Sequence, residues 1–253
     1  MKKEIHIFLT AILFFTRIPC PKWVNHNPEY LKLSSKYFSL VGILIGGIGA
    51  LVFYGASFLF PVEVSLLLSM VATIYSTGAF HEDGFADVCD GFGGGWTKDK
   101  ILLIMKDSRL GTYGTIGLLF ILGIKFTVLR IIEIQHIPLV LIAGHSLSRF
   151  IATTLLYTHP YVRDTEDSKS KSAAKHINIP SLIISGIFGI TPLFFFKNPW
   201  VFITIITMYA SKLFLGFKFK KWIGGQTGDC AGAVQQLSEI VFYLTIIALW
   251  KYI

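Results

Sequence analysis

The sequence predicts an all-α membrane protein: a polytopic membrane helical bundle of about seven spans, preceded by an N-terminal interfacial or re-entrant helix. Composition is the first observation, because 53% of the residues are hydrophobic and only 15% are charged. Soluble domains carry about 25% charged residues. The second observation is a series of long uncharged stretches that continues along the whole chain. We therefore expect residues 1–253 to form one integral membrane domain.

The N-terminal segment has the lysines and apolar run of a signal peptide, but we expect it to remain in the mature protein. Arg17 and Pro19 occupy the place where a small-residue cleavage site should stand. The apolar run over residues 5–15 is also short, because a spanning helix needs about 20 apolar residues. The segment is therefore predicted to lie at the interface or to insert halfway.

Seven later segments are long and apolar enough, or nearly so, to span a bilayer. They are residues 37–60, 62–80, 111–135, 137–158, 179–196, 199–217 and 237–253. Three connections, near Pro61, Gln135 and Lys197, are very short, so the flanking helices are predicted to form tight hairpins. The long connections are the N-terminal region and residues 81–110, 159–178 and 218–236.

The basic residues predict the orientation of the bundle. Most of the 23 Lys and Arg residues lie in the N-terminal region, in loops 81–110 and 159–178, and around residues 212–221. An inside N-terminus followed by seven spans places all four regions in the cytoplasm, as the positive-inside bias requires. The net charge of +8 then needs no nucleic acid to explain it. We expect a cytoplasmic (inner) membrane protein with active-site loops 81–110 and 218–236 facing the cytoplasm.

The stretch HEDGFADVCDGFGGG, residues 81–95, concentrates acidic side chains in an otherwise apolar chain. A helix over 81–91 would place Asp83, Asp87 and Asp90 on one face, at i, i+4 and i+7. Carboxylate oxygens suit Mg²⁺, which is usually held by a few carboxylates together with substrate phosphate. The simpler alternative is that these acids solvate a loop at the membrane surface. The three cysteines form no CxxC pair, so neither a zinc site nor a disulfide framework is supported.

The stretch IMKDSRLGTYG follows and adds cations to this acidic region. Lys106 and Arg109 could neutralise phosphate charge, which phosphoryl transfer requires. Asp107 is a further potential metal ligand, and Ser108 and Thr112 can donate hydrogen bonds. The alternative for the two cations is that they only anchor the loop at the cytoplasmic surface.

Two further features are open to more than one interpretation. In the glycine-rich stretch GGQTGDCAGA, Asp229 follows Gly228 and could complete a metal site, bind a ribose or phosphate, or cap the last helix. Arg149 is predicted near mid-membrane, where ionisable groups are functional candidates. It could reach a substrate phosphate or pair with an acidic residue. His145, four residues before it, is interpreted as a core histidine.

These motifs resemble one known family, the cobalamin synthases or adenosylcobinamide-GDP ribazoletransferases. The resemblance covers nearly the whole chain and is carried most specifically by TGAFHEDGFADVCDGFGG followed by IMKDSRLGTYG. FFTRIPCP, YFSLVGILIGG, SLSRF, HPYVR and GGQTGD support it. The polar run DTEDSKSKS after Arg163 is less typical, so no role is assigned to it.

The resemblance implies a Mg²⁺-dependent phosphotransferase that completes the nucleotide loop of vitamin B12. Its partners would be adenosylcobinamide-GDP, α-ribazole or α-ribazole 5′-phosphate, and the lipid bilayer. A ribose hydroxyl would attack the phosphorus attached to the corrinoid, and GMP would leave. The products would be adenosylcobalamin, or its 5′-phosphate, and GMP. The sequence leaves open whether the bundles form a homo-oligomer.

The resemblance also implies roles for the residues already singled out. The implied metal ligands are Asp83, Asp87 and Asp90, with Glu82 and Asp107 as further candidates. The implied catalytic residues are His81, as general base, and the cations Lys106 and Arg109. The candidate substrate-binding residues are Ser108, Thr112, Arg149, Gly228 and Asp229.

The main alternative is a Mg²⁺-dependent CDP-alcohol phosphotransferase of lipid synthesis, which also uses an Asp-rich motif in a membrane protein. The stretch EDGFADVCD lacks that family's Ala-Arg pair and its two trailing aspartates. A cation transporter would place carboxylates at mid-membrane, whereas these acids are predicted in a cytoplasmic loop. Both alternatives are therefore disfavoured.

Overall fold

The computed structural model describes residues 2–24, 27–163 and 177–250. All the regular elements in these ranges are helices, which confirms the predicted all-α class. The α-helices are α1 (Lys2–Phe15), α2 (Pro28–Ser34), α3 (Phe38–Ser57), α4 (Val62–Thr77), α5 (Phe80–Gly94), α6 (Lys98–Ile104), α7 (Thr112–Ile131), α8 (Ile137–Thr158), α9 (Ile179–Ile190), α10 (Ile203–Ile223) and α11 (Gly228–Trp250). The polar run after Arg163 lies outside the described residues.

Five helical segments are long and apolar enough to cross a membrane, so the chain is a polytopic membrane protein. They are Pro28–Ser57, Thr112–Ile131, Ile134–Thr158, Pro199–Ile223 and Gly228–Trp250. A sixth span is obtained if α4 and α5, which meet at a bend of 86°, are taken as one broken or re-entrant span. Over the described ranges, the structure thus has fewer full-length spans than the expected number of about seven.

Two predicted spans fall short: residues 62–80, where α4 ends at Thr77 and counts only together with α5, and residues 179–196. α9 ends at Ile190, and the chain continues as a 3₁₀ turn over Thr191–Phe195. Pro192 has no amide hydrogen to donate and its ring clashes with the preceding turn, so the α-helix cannot pass through it. The apolar segment Ile179–Phe195 is consequently shorter than a full span.

Both predicted active-site loops are largely helical. Helices α5 and α6 occupy most of residues 81–110, and α10 and α11 leave only residues 224–227 between them. The last span therefore begins at Gly228 and not at the predicted residue 237. The glycines suggested a loop, but one of them permits close helix packing: a Cβ atom on Gly232 would lie 3.2 Å from the carbonyl oxygen of His81.

A sharp break between α4 and α5 sets the direction of the acidic helix. Gly78 and Ala79 both adopt left-handed backbone conformations, with φ values of 64° and 57°. A side chain at Gly78 would collide with Arg17, whose backbone N–H donates to the carbonyl of Ser76 at 2.7 Å. For Ala79 the left-handed conformation costs about 1–2 kcal/mol. The contact between Arg17 and the end of α4 therefore helps to hold this bend in place.

Helix α8 lies at the centre of the bundle and packs closely against α3. A Cβ atom on Gly42 would lie 2.4 Å from the carbonyl oxygen of His145, and one on Gly46 would lie 2.6 Å from the Cα of Ile142. Small residues allow helix backbones to approach in membranes, where packing and not hydrophobicity drives association. This contact positions the polar side chains of α8 inside the bundle.

The α3–α8 contact gives a first prediction. Replacing Gly46 by alanine introduces a methyl group against the backbone of α8, and we expect a loss of about 1–3 kcal/mol of stability from overpacking. The measurement is thermal unfolding of the purified protein in detergent. Gly47→Ala is the matched control on the same helix, because a Cβ atom on Gly47 would meet no atom of the described residues within 4 Å. Equal melting temperatures for the two variants would contradict the packing described.

Candidate active site

Helix α5 displays the predicted row of carboxylates. Asp83 is exposed, and Asp87 and Asp90 are partly buried on the same side. Asp229, in the first turn of α11, joins them, and the carboxylates of Asp83, Asp90 and Asp229 all act electrostatically on Asp87. We call these four residues the carboxylate cluster. Their mutual repulsion favours the binding of a cation.

The close approach of two helices brings Asp229 to α5. A Cβ atom on Gly84 would lie 3.0 Å from the Cα of Asp229. Of the interpretations open for Asp229, the capping role belongs instead to Thr227, whose hydroxyl accepts the backbone N–H of Cys230 at 3.3 Å. The carboxylate of Asp229 remains at the positive N-terminal end of α11, where the helix dipole favours negative charge.

Asp90 connects α5 to the loop that carries the predicted cations. Its two carboxylate oxygens accept backbone N–H groups of Gly111 at 2.7 Å and Gly114 at 2.9 Å. These amides belong to the N-terminus of α7, so Asp90 satisfies donors that the helix itself leaves free. Its role as a metal ligand stays a prediction, because both oxygens already have backbone donors here.

The loop between α6 and α7 places its charged residues towards solvent. Lys106, Ser108, Arg109 and Thr112 are exposed. Arg109 pairs with Asp107 through NH2 and Oδ2 at 2.6 Å. These hydrogen bonds from Arg109 lower the pKa of Asp107 to about 2. Asp107 therefore remains ionised at physiological pH, and its pairing with Arg109 leaves its predicted metal role untested.

The opposite face of α5 points into the bundle. The side chain of His81 is only 2% exposed and its ring stacks on Phe38, with centroids 5.5 Å apart. Glu82 is buried and accepts the amide of Gln236 at 2.9 Å. Among the described residues, His81 Nε2 and Glu82 Oε2 have no hydrogen-bond partner. The acidic motif thus contributes outward carboxylates and an inward polar pair.

A buried ion pair lies beyond this inward face. Glu239 of α11 forms a salt bridge with Lys125 of α7. It also accepts hydrogen bonds from Gln235 at 2.6 Å and Tyr243 at 3.0 Å, and His145 lies 3.4 Å away. Unpaired charges are costly in a membrane interior, so such residues pair with one another. This arrangement stabilises the contact between α7, α8 and α11.

A chain of hydrogen bonds joins Glu82 to this ion pair. The amide nitrogen of Gln236 donates to Glu82 and, at 3.0 Å, to Oε1 of Gln235. The amide nitrogen of Gln235 in turn donates to Glu239. Through these bonds, the acidic helix α5 is fixed to the most buried part of α11.

Arg149 lies within the same buried region. It is 1% exposed, its NH1 donates to the carbonyl of His145 at 2.8 Å, and its guanidinium lies 5.5 Å from the Phe38 ring centroid. It interacts electrostatically with Glu239 and Glu82, and its pairing with an acidic residue stays a prediction. Its contact with substrate stays a prediction.

Sequence reasoning missed Arg163, which lies directly against the carboxylate cluster. Its NH2 donates to Asp229 Oδ2 at 2.7 Å and to the carbonyl of Met105 at 2.9 Å. The one signal in the sequence was its position in the HPYVR motif, but nothing local indicates that residue 163 meets residue 229. Lys125 and Glu239 were also missed as a pair, although charged residues within spans are a general signal of function.

The carboxylate cluster offers oxygen donors to a metal ion. Within the described ranges, no group of three or more His, Cys, Asp or Glu side chains is arranged so that it could hold a metal ion. The chemistry nevertheless fits Mg²⁺, which prefers carboxylate oxygens, keeps several waters and uses few protein ligands. Asp83, Asp87 and Asp229 carry such oxygens and lie near enough to act electrostatically on one another.

The buried ion pair gives a second prediction. Glu239→Gln leaves the charge of Lys125 without its partner, and we expect a loss of about 3–5 kcal/mol of stability. The double variant Lys125→Met/Glu239→Gln should recover much of it, because the unpaired charge of Lys125 is removed as well. The measurement is unfolding in mixed detergent micelles. Glu63→Gln is the control, since its pair with Arg130 is exposed and such pairs contribute little. A double variant less stable than Glu239→Gln would contradict this account.

Comparison with known proteins places these features in a family. The family model described as cobalamin-5-phosphate synthase matches residues 7–247. Proteins named adenosylcobinamide-GDP ribazoletransferase are similar over nearly their full length. The one from Shewanella frigidimarina (strain NCIMB 400) is 45% identical over 250 residues, covering 97% of this chain and 95% of the relative. The one from Shewanella amazonensis (strain ATCC BAA-1098 / SB2B) is 40% identical over 256 residues, covering 99% and 98%. No solved structure matches. The chain belongs to the cobalamin-5-phosphate synthase family.

Proposed function

We propose that this chain joins adenosylcobinamide-GDP to α-ribazole or α-ribazole 5′-phosphate, in a reaction that depends on Mg²⁺. The products are adenosylcobalamin, or its 5′-phosphate, and GMP. The name of the relatives supports this activity. The structural observation that carries the proposal is the carboxylate cluster, where α5, α11 and the loop before α7 meet. Nothing in the comparisons favours a CDP-alcohol phosphotransferase.

The cluster suits a substrate that brings both a diphosphate and a cation. In the reaction, a ribose hydroxyl of α-ribazole forms a new bond to the phosphorus attached to the corrinoid. The bond from that phosphorus to the oxygen of the departing GMP breaks, and the hydroxyl proton passes to a base. Mg²⁺, when bound, would neutralise part of the negative charge of the diphosphate. Asp83, Asp87 and Asp229 are the residues best placed to hold it.

Other predicted ligands have competing partners in this structure. Glu82 bonds to Gln236, Asp90 to the amides of α7 and Asp107 to Arg109. They remain proposed ligands, and for Asp90 the more direct role is to anchor the cationic loop. Lys106 and Arg109 are proposed to neutralise phosphate charge, because both are exposed on that loop.

The substrate contacts are proposed for the exposed side of the same loop. Ser108 and Thr112 can donate hydrogen bonds to phosphate oxygens. Gly228 begins α11 beside Asp229, where helix N–H groups can bind an anion. Arg149 is buried inside the helical bundle, so a substrate phosphate would have to enter the bundle to contact it.

The general base is proposed to be His81 or an aspartate of the cluster. Nε2 of His81 has no partner in the described ranges, but the ring lies on the inward face of α5 and is almost fully enclosed. Asp83 is exposed on the outward face. Substrate access therefore favours the aspartate over the enclosed histidine.

The site is proposed to face the cytoplasm across the inner membrane. The loop between α6 and α7, the end of α10 and the start of α11 lie at the site, and the first two carry several lysines and arginines. Such residues concentrate on the cytoplasmic side of membrane proteins.

The metal role is tested with Asp83→Asn in protein reconstituted into liposomes. We expect wild-type protein to release GMP and form the corrinoid product with adenosylcobinamide-GDP, α-ribazole and Mg²⁺. The variant should lose at least about 100-fold in rate, because the charge on the reacting phosphates loses its electrostatic stabilisation. Asp99→Asn, an exposed acid in the first turn of α6, should retain activity. Full activity of Asp83→Asn would show that the metal binds to other residues. Activity of the wild-type protein only on a CDP-linked lipid precursor would support the alternative function.

The identity of the base is tested with His81→Ala in the same assay. A general base contributes about 10²–10⁴-fold, so we expect a fall of that size if His81 takes the proton. The change should appear in kcat at saturating concentrations of both substrates. Near-normal turnover would assign proton transfer to an aspartate of the cluster.

A further inference from the structure

Arg163 is held at the carboxylate cluster by a short backbone clamp. Gln226 donates its N–H to the carbonyl of Pro160 at 2.8 Å, and Val162 donates to the carbonyl of Gln226 at 3.1 Å. Gly225 is required here, because a Cβ atom on it would lie 2.1 Å from the carbonyl oxygen of Pro160. The clamp joins the end of α8 to the connection before α11, so Arg163 is presented beside Asp229.

The contacts of Arg163 differ from those of the predicted cations. Its side chain is 19% exposed, whereas that of Arg109 is 87% exposed and bonded to Asp107. Arg163 acts electrostatically on both Asp87 and Asp229. Its buried Nε has no hydrogen-bond partner in the part of the chain that the structure describes. A buried guanidinium nitrogen that lacks an acceptor is costly, so this edge of Arg163 can receive an acceptor that the described residues do not supply, such as a phosphate oxygen.

We propose that Arg163 is a diphosphate-binding residue of this site. Its ion pair with Asp229 persists only until a divalent cation binds to Asp229. The inference rests on the proposed function. A cation held by Asp229 neutralises the charge that attracts Arg163. The guanidinium is then free to bind phosphate oxygens, for which its planar fork of N–H donors is well suited. The carbonyl of Met105 can retain one donor and keep the side chain near the cluster.

If Arg163 has this role, Arg163→Ala should change the affinities for metal and for diphosphate in opposite directions. Removal of the competing cation should tighten the binding of Mn²⁺, used as a probe for Mg²⁺, by about 3- to 10-fold. Removal of the phosphate contact should weaken the binding of inorganic pyrophosphate, and of adenosylcobinamide-GDP, by about 10- to 100-fold in the presence of metal. A residue that only held α11 against α6 would weaken both on removal.

The experiment measures Mn²⁺ affinity by electron paramagnetic resonance on full-length protein in detergent, and pyrophosphate affinity by calorimetry. Arg163→Lys keeps the charge but not the fork, so its Mn²⁺ affinity should stay near that of the wild type while pyrophosphate binding weakens. Arg130→Ala is the control, because its exposed pair with Glu63 lies outside the site. Melting temperatures of all variants identify any that fail to fold.

The outcomes separate this inference from the proposed function. The inference is supported if Arg163→Ala binds Mn²⁺ more tightly and pyrophosphate more weakly than the wild type. Arg163→Lys should keep the Mn²⁺ affinity of the wild type and bind pyrophosphate more weakly. Weaker Mn²⁺ binding or unchanged pyrophosphate binding in a folded Arg163→Ala protein overturns it. Neither binding measurement depends on turnover. A wild-type protein inactive on adenosylcobinamide-GDP but showing the two opposite shifts would therefore overturn only the proposed function.

Discussion

The close packing of α5 against α11 is the contact on which the rest of the site depends. Gly84 and Gly232 allow the two backbones to approach, because a Cβ atom at either position would press on the other helix. This approach brings Asp229 to the carboxylates of α5 on one side and Gln236 to Glu82 on the other. One helix pair thus organises both the outward cluster and the inward hydrogen-bonded chain.

The inward and outward sides of α5 lie in different environments. On the inward side, polar groups are removed from water, so Glu239, Lys125 and their neighbours satisfy one another. On the outward side, the carboxylates of Asp83, Asp87 and Asp229 repel one another, and Arg163 offsets part of their charge. The inward contacts stabilise the fold, and the excess of negative charge on the outward side favours a divalent cation, through which a diphosphate could then bind.

The sequence was sufficient for features that depend on local spacing. The helical face of Asp83, Asp87 and Asp90 follows from their separation, and the membrane character follows from composition. The start of α11 was misplaced, because glycines that permit close packing look the same in sequence as glycines in a loop. The pairing of Arg163 with Asp229 depends on how distant segments pack, so spacing along the chain carried no signal for it.

The most direct test of this account is to locate bound Mn²⁺ in an experimental structure by its anomalous scattering. The cation should lie between α5 and α11, within about 2.0–2.3 Å of carboxylate oxygens from Asp83, Asp87 or Asp229, with Arg163 moved away from Asp229. A cation bound only at Asp107, or a cluster that stays without one at saturating Mn²⁺ while the enzyme turns over, would contradict the account.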